Sequence, residues 1–188
     1  MQEEQLDVVD KAGKVIGTMA RSEAEHANHV IQNVLIFIFN PEDEVWIQLR
    51  PMHKKHFPGL WEISACGAVA SGEKPLEAAK RETLEETGLE PELKYVETFL
   101  NQFPGHDNQT YSRLSHLFIA ITEKEPKLTD EVDEFKAVNY KDLQQQIKSN
   151  PDKYVPSFLV ELEKASATFE KLKSRATSTA LLPDDKID

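Results

Sequence analysis

Cysteine is almost absent from this sequence. Cys66 stands alone, so no intramolecular disulfide can form, and a reducing compartment is the expectation. Basic side chains are also in the minority, 22 against 33 acidic ones, which leaves a net charge of −11. A field of that sign repels polyanions and argues against a nucleic-acid polymer as partner. A small anionic substrate remains compatible where cations are concentrated locally. Long apolar runs are missing: no segment approaches the roughly 20 residues that span a bilayer. The start, MQEEQLDVVD, has neither the basic end nor the apolar stretch of a secretory leader. A soluble, cytoplasmic protein with no membrane partner is therefore expected.

What is present suffices for one core. Apolar residues make up 39% of the 188 and charged ones 29%, and at about 150 residues per domain the chain reads as a single domain over 1–188. Leu6–Val9, a turn at Asp10–Gly13 and Val15–Thr18 predict an N-terminal hairpin at about 6–18. A short helix is expected at 22–27, with Ser22 as its N-cap. Residues 30–39, VIQNVLIFIF, are apolar enough for a central strand covered on both faces. Val45–Leu49 returns as a strand, and the loop PMHKKHFPGL that follows gathers His53, Lys54, Lys55 and His56. Trp61–Ala65 is a short strand leading to Gly67, and residues 75–87 form a helix stopped by Gly88. Strands are expected near 93–100 and 114–122, with a loop at Phe103–Asn108 between them, and another near 134–139. Helices follow at about 141–149 and from about 156 to 173, with a frayed tail beyond Ser174. The pattern is a mixed α/β sandwich.

The chemistry concentrates between Gly67 and Leu89. Pro75 suits a first helical turn, where its missing N–H costs nothing. Glu82, Glu85 and Glu86 stand at i, i+3 and i+4, so their carboxylates share one helix face. Leu76, Ala79 and Thr83 make a narrow stripe that can pack on the sheet. An acidic helix face can simply be solvated, but three carboxylates converging beneath a glycine loop also make an oxygen-rich site suited to Mg²⁺ or Mn²⁺.

The whole string resembles the Nudix box, G-x5-E-x7-R-E-U-x-E-E-x-G-U, where U is bulky and apolar. Gly67, Glu73, Arg81, Glu82, Glu85, Glu86 and Gly88 are all in place, with Leu89 at the last apolar position and Thr83 as the one departure. The resemblance implies the Nudix fold, an α/β/α sandwich with a mixed sheet and a strand-loop-helix metal site. It also implies Glu82, Glu85 and Glu86 as metal ligands aided by the Gly67 carbonyl, Glu82, Glu85 and Arg81 as catalytic residues, and Glu73 as support. Metals in such a site neutralise a diphosphate and activate a bound water. An acid from outside the box is often recruited. Glu131 is the choice here for general base or extra ligand, with Glu134 behind it.

The likeness extends to isopentenyl-diphosphate isomerases, a Nudix-fold branch, through Arg50, Lys54, Phe57–Trp61 and the Cys66-Gly67 pair. In that branch the basic residues hold a diphosphate and the Cys is catalytic. Arg50, Lys54 and Lys55 thus become diphosphate contacts, and Trp61, Phe57, Phe103 and Tyr111 a possible aromatic wall. Three departures weigh against isomerisation, so the chain most resembles the isopentenyl-diphosphate-isomerase-like hydrolase branch of the superfamily. Ala68 stands where the pattern has a metal-binding His, Tyr111-Ser112-Arg113 where it has Glu-x-Glu, and the hydrolytic box is intact. His26 and His29 are alternative upstream ligands, and a small buried residue is the plainer reading of Cys66. The reading reached is a divalent-metal-dependent hydrolase of a diphosphate linkage in a nucleoside diphosphate derivative or similar metabolite. An isopentenyl-diphosphate isomerase and a non-catalytic Nudix-fold binding module are the alternatives. The partner expected is a small-molecule diphosphate, and association into a homodimer is left open.

Overall fold

The ten residues of β3 (Val30–Phe39) organise the sheet. In the computed structural model, which describes residues 3–26, 28–105 and 109–180, both faces of this strand are covered. Val34, Ile36 and Ile38 on one face and Phe37 and Phe39 on the other have no exposed surface. Since successive side chains alternate across a sheet, such a strand is stable only between two layers. β3 pairs in parallel along its length with β8 (Thr110–Ile121), from Val30 opposite Ser112 to Phe39 opposite Ile121. Its other edge is shared by β1 (Gln5–Val9), by β6 (Ala65–Ala68) opposite residues 33–36, and by the start of β4 (Glu44–Leu49). β2 (Val15–Ala20) closes a hairpin on β1, β5 (Trp61–Glu62) and β9 (Glu134–Asn139) flank β4, and β7 (Lys94–Pro104) pairs with β8. The result is a mixed sheet.

The two covering layers differ in character. On one face α2 (Pro75–Thr87) presses Ala78 and Ala79 onto Val34, Ile36 and Ile38. Helix and sheet approach closely here, so small side chains make the contact and Leu76 is left 43% exposed, not packed on the sheet as the stripe suggested. Thr83 is buried in the bulky position because its hydroxyl donates to Ala79 O at 2.6 Å, which satisfies it within the helix. Gly88 ends the helix at φ 66°, a conformation open to glycine, with its N–H on Leu84 O. On the other face α3 (Tyr140–Ser149) and α4 (Phe158–Ala180) bury Leu143, Phe158, Leu162 and Phe169 against Phe37, Phe39, Leu117 and Ile119. The rings of Phe39 and Phe169 stack at 4.3 Å, and Tyr140 meets both edge-on.

Several local expectations are corrected. The short helix α1 is Arg21–Ala24 and is not capped by Ser22: Ala20 is its N-cap, and the Ser22 N–H donates to the Glu3 carboxylate at 2.8 Å. The contact comes from Glu3, just ahead of β1 and beyond the reach of local reading. β7 runs through Phe103 and Pro104 and β8 starts at Thr110, because pairing extends both past the turn-like composition. Proline is tolerated there because β7 pairs only with β8 and is an edge strand. The rest of that expected loop, 106–108, lies outside the described residues, as does residue 27. α4 continues to Ala180 instead of ending near 173, and the expected tail from 181 is outside the described residues. No helix among the described residues is long and apolar enough to cross a membrane.

Phe169→Ala removes a fully buried ring from this stack and should cost about 3–5 kcal/mol of unfolding free energy. Val160→Ala, on the exposed side of the same helix, should stay within about 0.5 kcal/mol. Urea denaturation of both variants tests the assignment of the core, and comparable effects would contradict it.

Candidate active site

Along the α3–α4 face of the sheet, β3, β7 and β8 change character. Phe37, Phe39, Leu117 and Ile119 belong to the core, but farther along the same face come Asn33, Asn101 and Arg113. There the core opens into a cleft of about 670 Å³, ample for a small phosphorylated metabolite. β6 and α2 contribute the box residues to it, the loop after β4 contributes residues 50 and 53–57, and the beginning of α4 contributes Ser157 and Glu161.

Arg81 organises the box. Its Nε and Nη2 each reach Glu73 at 3.0 Å, Nη1 reaches Glu82 at 2.6 Å and Glu85 at 3.2 Å, and Nη2 also donates to Ala68 O. Glu73 in turn accepts from the Ala70 N–H, so one guanidinium ties the loop to the helix, and its hydrogen bonds hold the Glu73 carboxyl below its ordinary range. The three helix carboxylates are not equivalent. Glu85 lies at the rim with half its side chain exposed. Glu82 is pushed up to about 7 by burial, against the pull of Arg81. Glu86 is buried, accepts from the Cys66 N–H and Gln48 Nε2 on one oxygen, and rises to about 8 through burial and the nearby Glu62 carboxylate. Gly67 is required at its place because a Cβ there would lie 2.0 Å from the Glu82 carboxyl carbon.

Among the described residues no three His, Cys, Asp or Glu side chains are already gathered as a metal cluster; Arg81 bridges Glu82 and Glu85 instead. In kind the donors fit a hard divalent cation. All are oxygens, and burial with mutual repulsion raises two of the carboxyls, a penalty that a bound cation would reverse.

The remaining predicted residues fall into distinct places. Arg50 forms an ion pair with Glu62, and its Nε donates to His56 O at 2.9 Å. Lys54 meets Glu131 at 2.8 Å, joining two predicted residues across the cleft. That bond pulls the Glu131 carboxyl below its ordinary value and ties it to the loop after β4. Lys55 is exposed at the rim, 4.0 Å from Glu25. Glu134, Trp61, His26 and His29 do not line the cleft, whereas Phe57, Phe103 and Tyr111 do. Glu134 pairs with Lys136, which lies over the Trp61 ring.

The sequence reading weighs Cys66 and sets it aside, and several other lining residues escape it. Cys66 is half-buried, with Sγ 3.6 Å from Glu62 Oε2. Burial and the neighbouring carboxylates raise the thiol well above its ordinary value, so it keeps its proton. Glu161 is buried where α4 meets the cleft, accepts from Asn101 Nδ2 at 2.7 Å and is pushed up to about 7 by burial. Asn101, Glu161 and Arg113 come from strands and a helix far from the box, and Glu62 precedes Gly67 without belonging to the motif, so no spacing announces them. For Cys66 the signal was its place before Gly67.

The NUDIX domain family model matches residues 30–158, most of the chain, and the protein belongs to the Nudix family. Within it, the chain is similar to Isopentenyl-diphosphate Delta-isomerase 2 of Photorhabdus laumondii, 32% identical over 157 residues that cover 83% of this chain and 89% of the relative. It is similar also to Isopentenyl-diphosphate Delta-isomerase of Pectobacterium atrosepticum, 26% identical over 168 residues and covering 89% and 94%. Among solved structures, DR0079 of Deinococcus radiodurans superposes with a TM-score of 0.70 at 22% identity, covering 86% of this chain and 97% of that one. The MutT protein of Methanosarcina mazei gives 0.61 at 18%, covering 77% and 95%. These likenesses support the Nudix fold and its α/β class.

The isomerase relatives overturn the hydrolase reading of the sequence. An intact box does not choose between the two chemistries, because neutralising a diphosphate serves either. The two chemistries differ in the groups they need beside the box, and in this chain Cys66 stands there against the buried Glu62. Family membership carries an expectation of divalent-metal use without selecting the metal.

Glu161 also governs how stability responds to pH. Its carboxyl rises from 4.5 to about 7 on folding, so the unfolded chain gives up a proton first as pH increases. Stability therefore falls from pH 4.5 to 7, by about 3 kcal/mol from this group. Glu161→Gln keeps an acceptor for Asn101 and should shrink the difference between denaturation curves at pH 5 and pH 8. An unchanged difference would contradict the assignment.

Proposed function

We propose that the chain isomerises isopentenyl diphosphate or a closely similar small diphosphate ester, moving a carbon–carbon double bond by adding one proton and removing another. The observation that carries this reading is the half-buried Cys66 against the buried Glu62 beside the box, with the thiol 3.6 Å from the carboxylate. Proton transposition needs an acid that still holds its proton at working pH, and burial keeps the Cys66 thiol in that form. Its Sγ delivers a proton to the terminal alkene carbon, and Glu62, which burial raises and which Arg50 releases on turning to phosphate, takes up a proton from solvent and returns it to the sulfur. The second proton leaves the carbon on the diphosphate side to a carboxylate of the same cleft. Glu161, close to half-ionised near neutrality, suits that task. The hydrogen count of the substrate is unchanged.

The diphosphate would be held by Arg50, Lys54 and Lys55. The first two would exchange Glu62 and Glu131 for phosphate oxygens. Glu82, Glu85 and Glu86, with the Gly67 carbonyl, would hold Mg²⁺ or Mn²⁺, which when bound supplies neutralisation of the diphosphate charge. Arg81 and Glu73 keep those carboxylates on one face.

Incubation with isopentenyl diphosphate and Mg²⁺, followed by NMR together with a phosphate-release assay, tests the reading. Dimethylallyl diphosphate should form and chelation should stop it. Cys66→Ala and Glu62→Gln should each lower kcat at least about a hundredfold, a loss of about 3 kcal/mol in transition-state stabilisation. Phosphate release without isomer, or full isomerisation by Cys66→Ala, would overturn it.

A further inference from the structure

Arg113 faces the cleft from β8, at the place where the sequence departs from the Glu-x-Glu of the isomerase pattern. Its residue surface is only 8% exposed. One hydrogen bond is made, from Nη1 to the neighbouring Ser112 O at 3.0 Å, and no carboxylate among the described residues lies within ion-pair distance. The other cleft arginines are all paired: Arg21 with Glu4 and Glu25, Arg50 with Glu62, and Arg81 with Glu73, Glu82 and Glu85. Glu25, an acid whose field reaches Arg113, is already committed to Arg21.

The surroundings withhold water as well as counter-charge. The Phe103 and Tyr111 rings lie 5.8 and 5.6 Å from the guanidinium carbon and stack on each other at 6.2 Å and 11°. Ring faces attract a cation weakly, far less than the hydration that a buried guanidinium gives up. Burial correspondingly makes Arg113 easier to deprotonate than an ordinary arginine. A cation kept in this condition, with most of its donors still unused and the cleft before it, is matched by an oxyanion arriving from the cleft. Among oxyanions a phosphate suits the planar donor fork, which can bind two oxygens at once.

We infer that Arg113 is a substrate-binding residue that grips phosphate oxygens of the diphosphate from the β8 wall, in addition to the basic loop after β4. This deepens the proposed function by naming a contact outside the family-like loop, and it rests on a diphosphate-bearing substrate. Where the pattern has an acid, this chain presents an anchor for the substrate's charged end.

The test uses inorganic pyrophosphate as probe on the full chain, with chelator present so that no metal contributes, by calorimetric titration and thermal melts. Arg113→Met keeps the length of the side chain without its charge, and Arg113→Lys keeps the charge without the fork. Pyrophosphate should bind the wild type and raise its Tm. Arg113→Met should weaken binding at least about tenfold and lose most of that rise, with Arg113→Lys in between. Ligand-free Arg113→Met should melt at or above the wild type, since a buried charge without a partner has been removed. Unchanged pyrophosphate affinity in Arg113→Met would overturn the inference. So would weakened binding accompanied by a lower ligand-free Tm and no recovery in Arg113→Lys, which marks a structural role. The titration needs no turnover, so it is read independently of whether isomer forms.

Discussion

The Arg81 guanidinium is the interaction on which the site depends. It sits where a loop must be bound to a helix and where three glutamates crowd together. Its contacts to Glu73, Glu82 and Glu85 and to the Ala68 carbonyl turn that crowding into one connected network. The network's strength comes from geometry. A planar fork offers its donors in fixed directions, so the carboxylates it holds are placed as well as neutralised. Gly67 completes the arrangement from below, leaving room for the Glu82 carboxyl that any side chain would displace.

Burial then divides the acids of the cleft by role. Where a cation's hydrogen bond outweighs burial the carboxyl is held below its ordinary range, as for Glu73 on Arg81 and Glu131 on Lys54. Those pressed into the interior, Glu82, Glu86 and Glu161, hold a proton into the neutral range. The cleft thus contains fixed anions and proton carriers side by side, although the residue type is the same. Desolvation and the position of each cation account for the difference. The same reasoning applies with the sign reversed to Arg113, a buried cation that the protein leaves without a counter-charge.

The sheet explains why such groups can exist at all. β3 and β8 are anchored at one end in a fully packed aromatic core, where Phe39 and Phe169 stack. That end carries the stability, which allows the other end of the same strands to display Asn33, Asn101 and Arg113 to a cleft. A polar site on rigid strands is held more precisely than one on loops.

Much of this was legible in the residues themselves. The helix at 75–87, its glycine stop, the shared face of Glu82, Glu85 and Glu86 and the doubly covered strand at 30–39 follow from local rules: the helical and strand periods, the conformational freedom of Gly88 and the apolar run. Those rules act within a few residues and survive any tertiary context that does not oppose them. Not legible were the Lys54–Glu131 bond, the Glu62 carboxylate against Cys66, and the meeting of Asn101 with Glu161 across 60 positions of sequence. Each depends on strand register and helix packing, which no single segment encodes. The box motif itself was misleading on chemistry, because a diphosphate-neutralising helix is shared by reactions that differ in the bond they change. The sequence alone determined where charge would gather and on which scaffold. Only the tertiary structure decided which of those charges are buried, since desolvation is a property of what packs around a group and not of its neighbours in the chain.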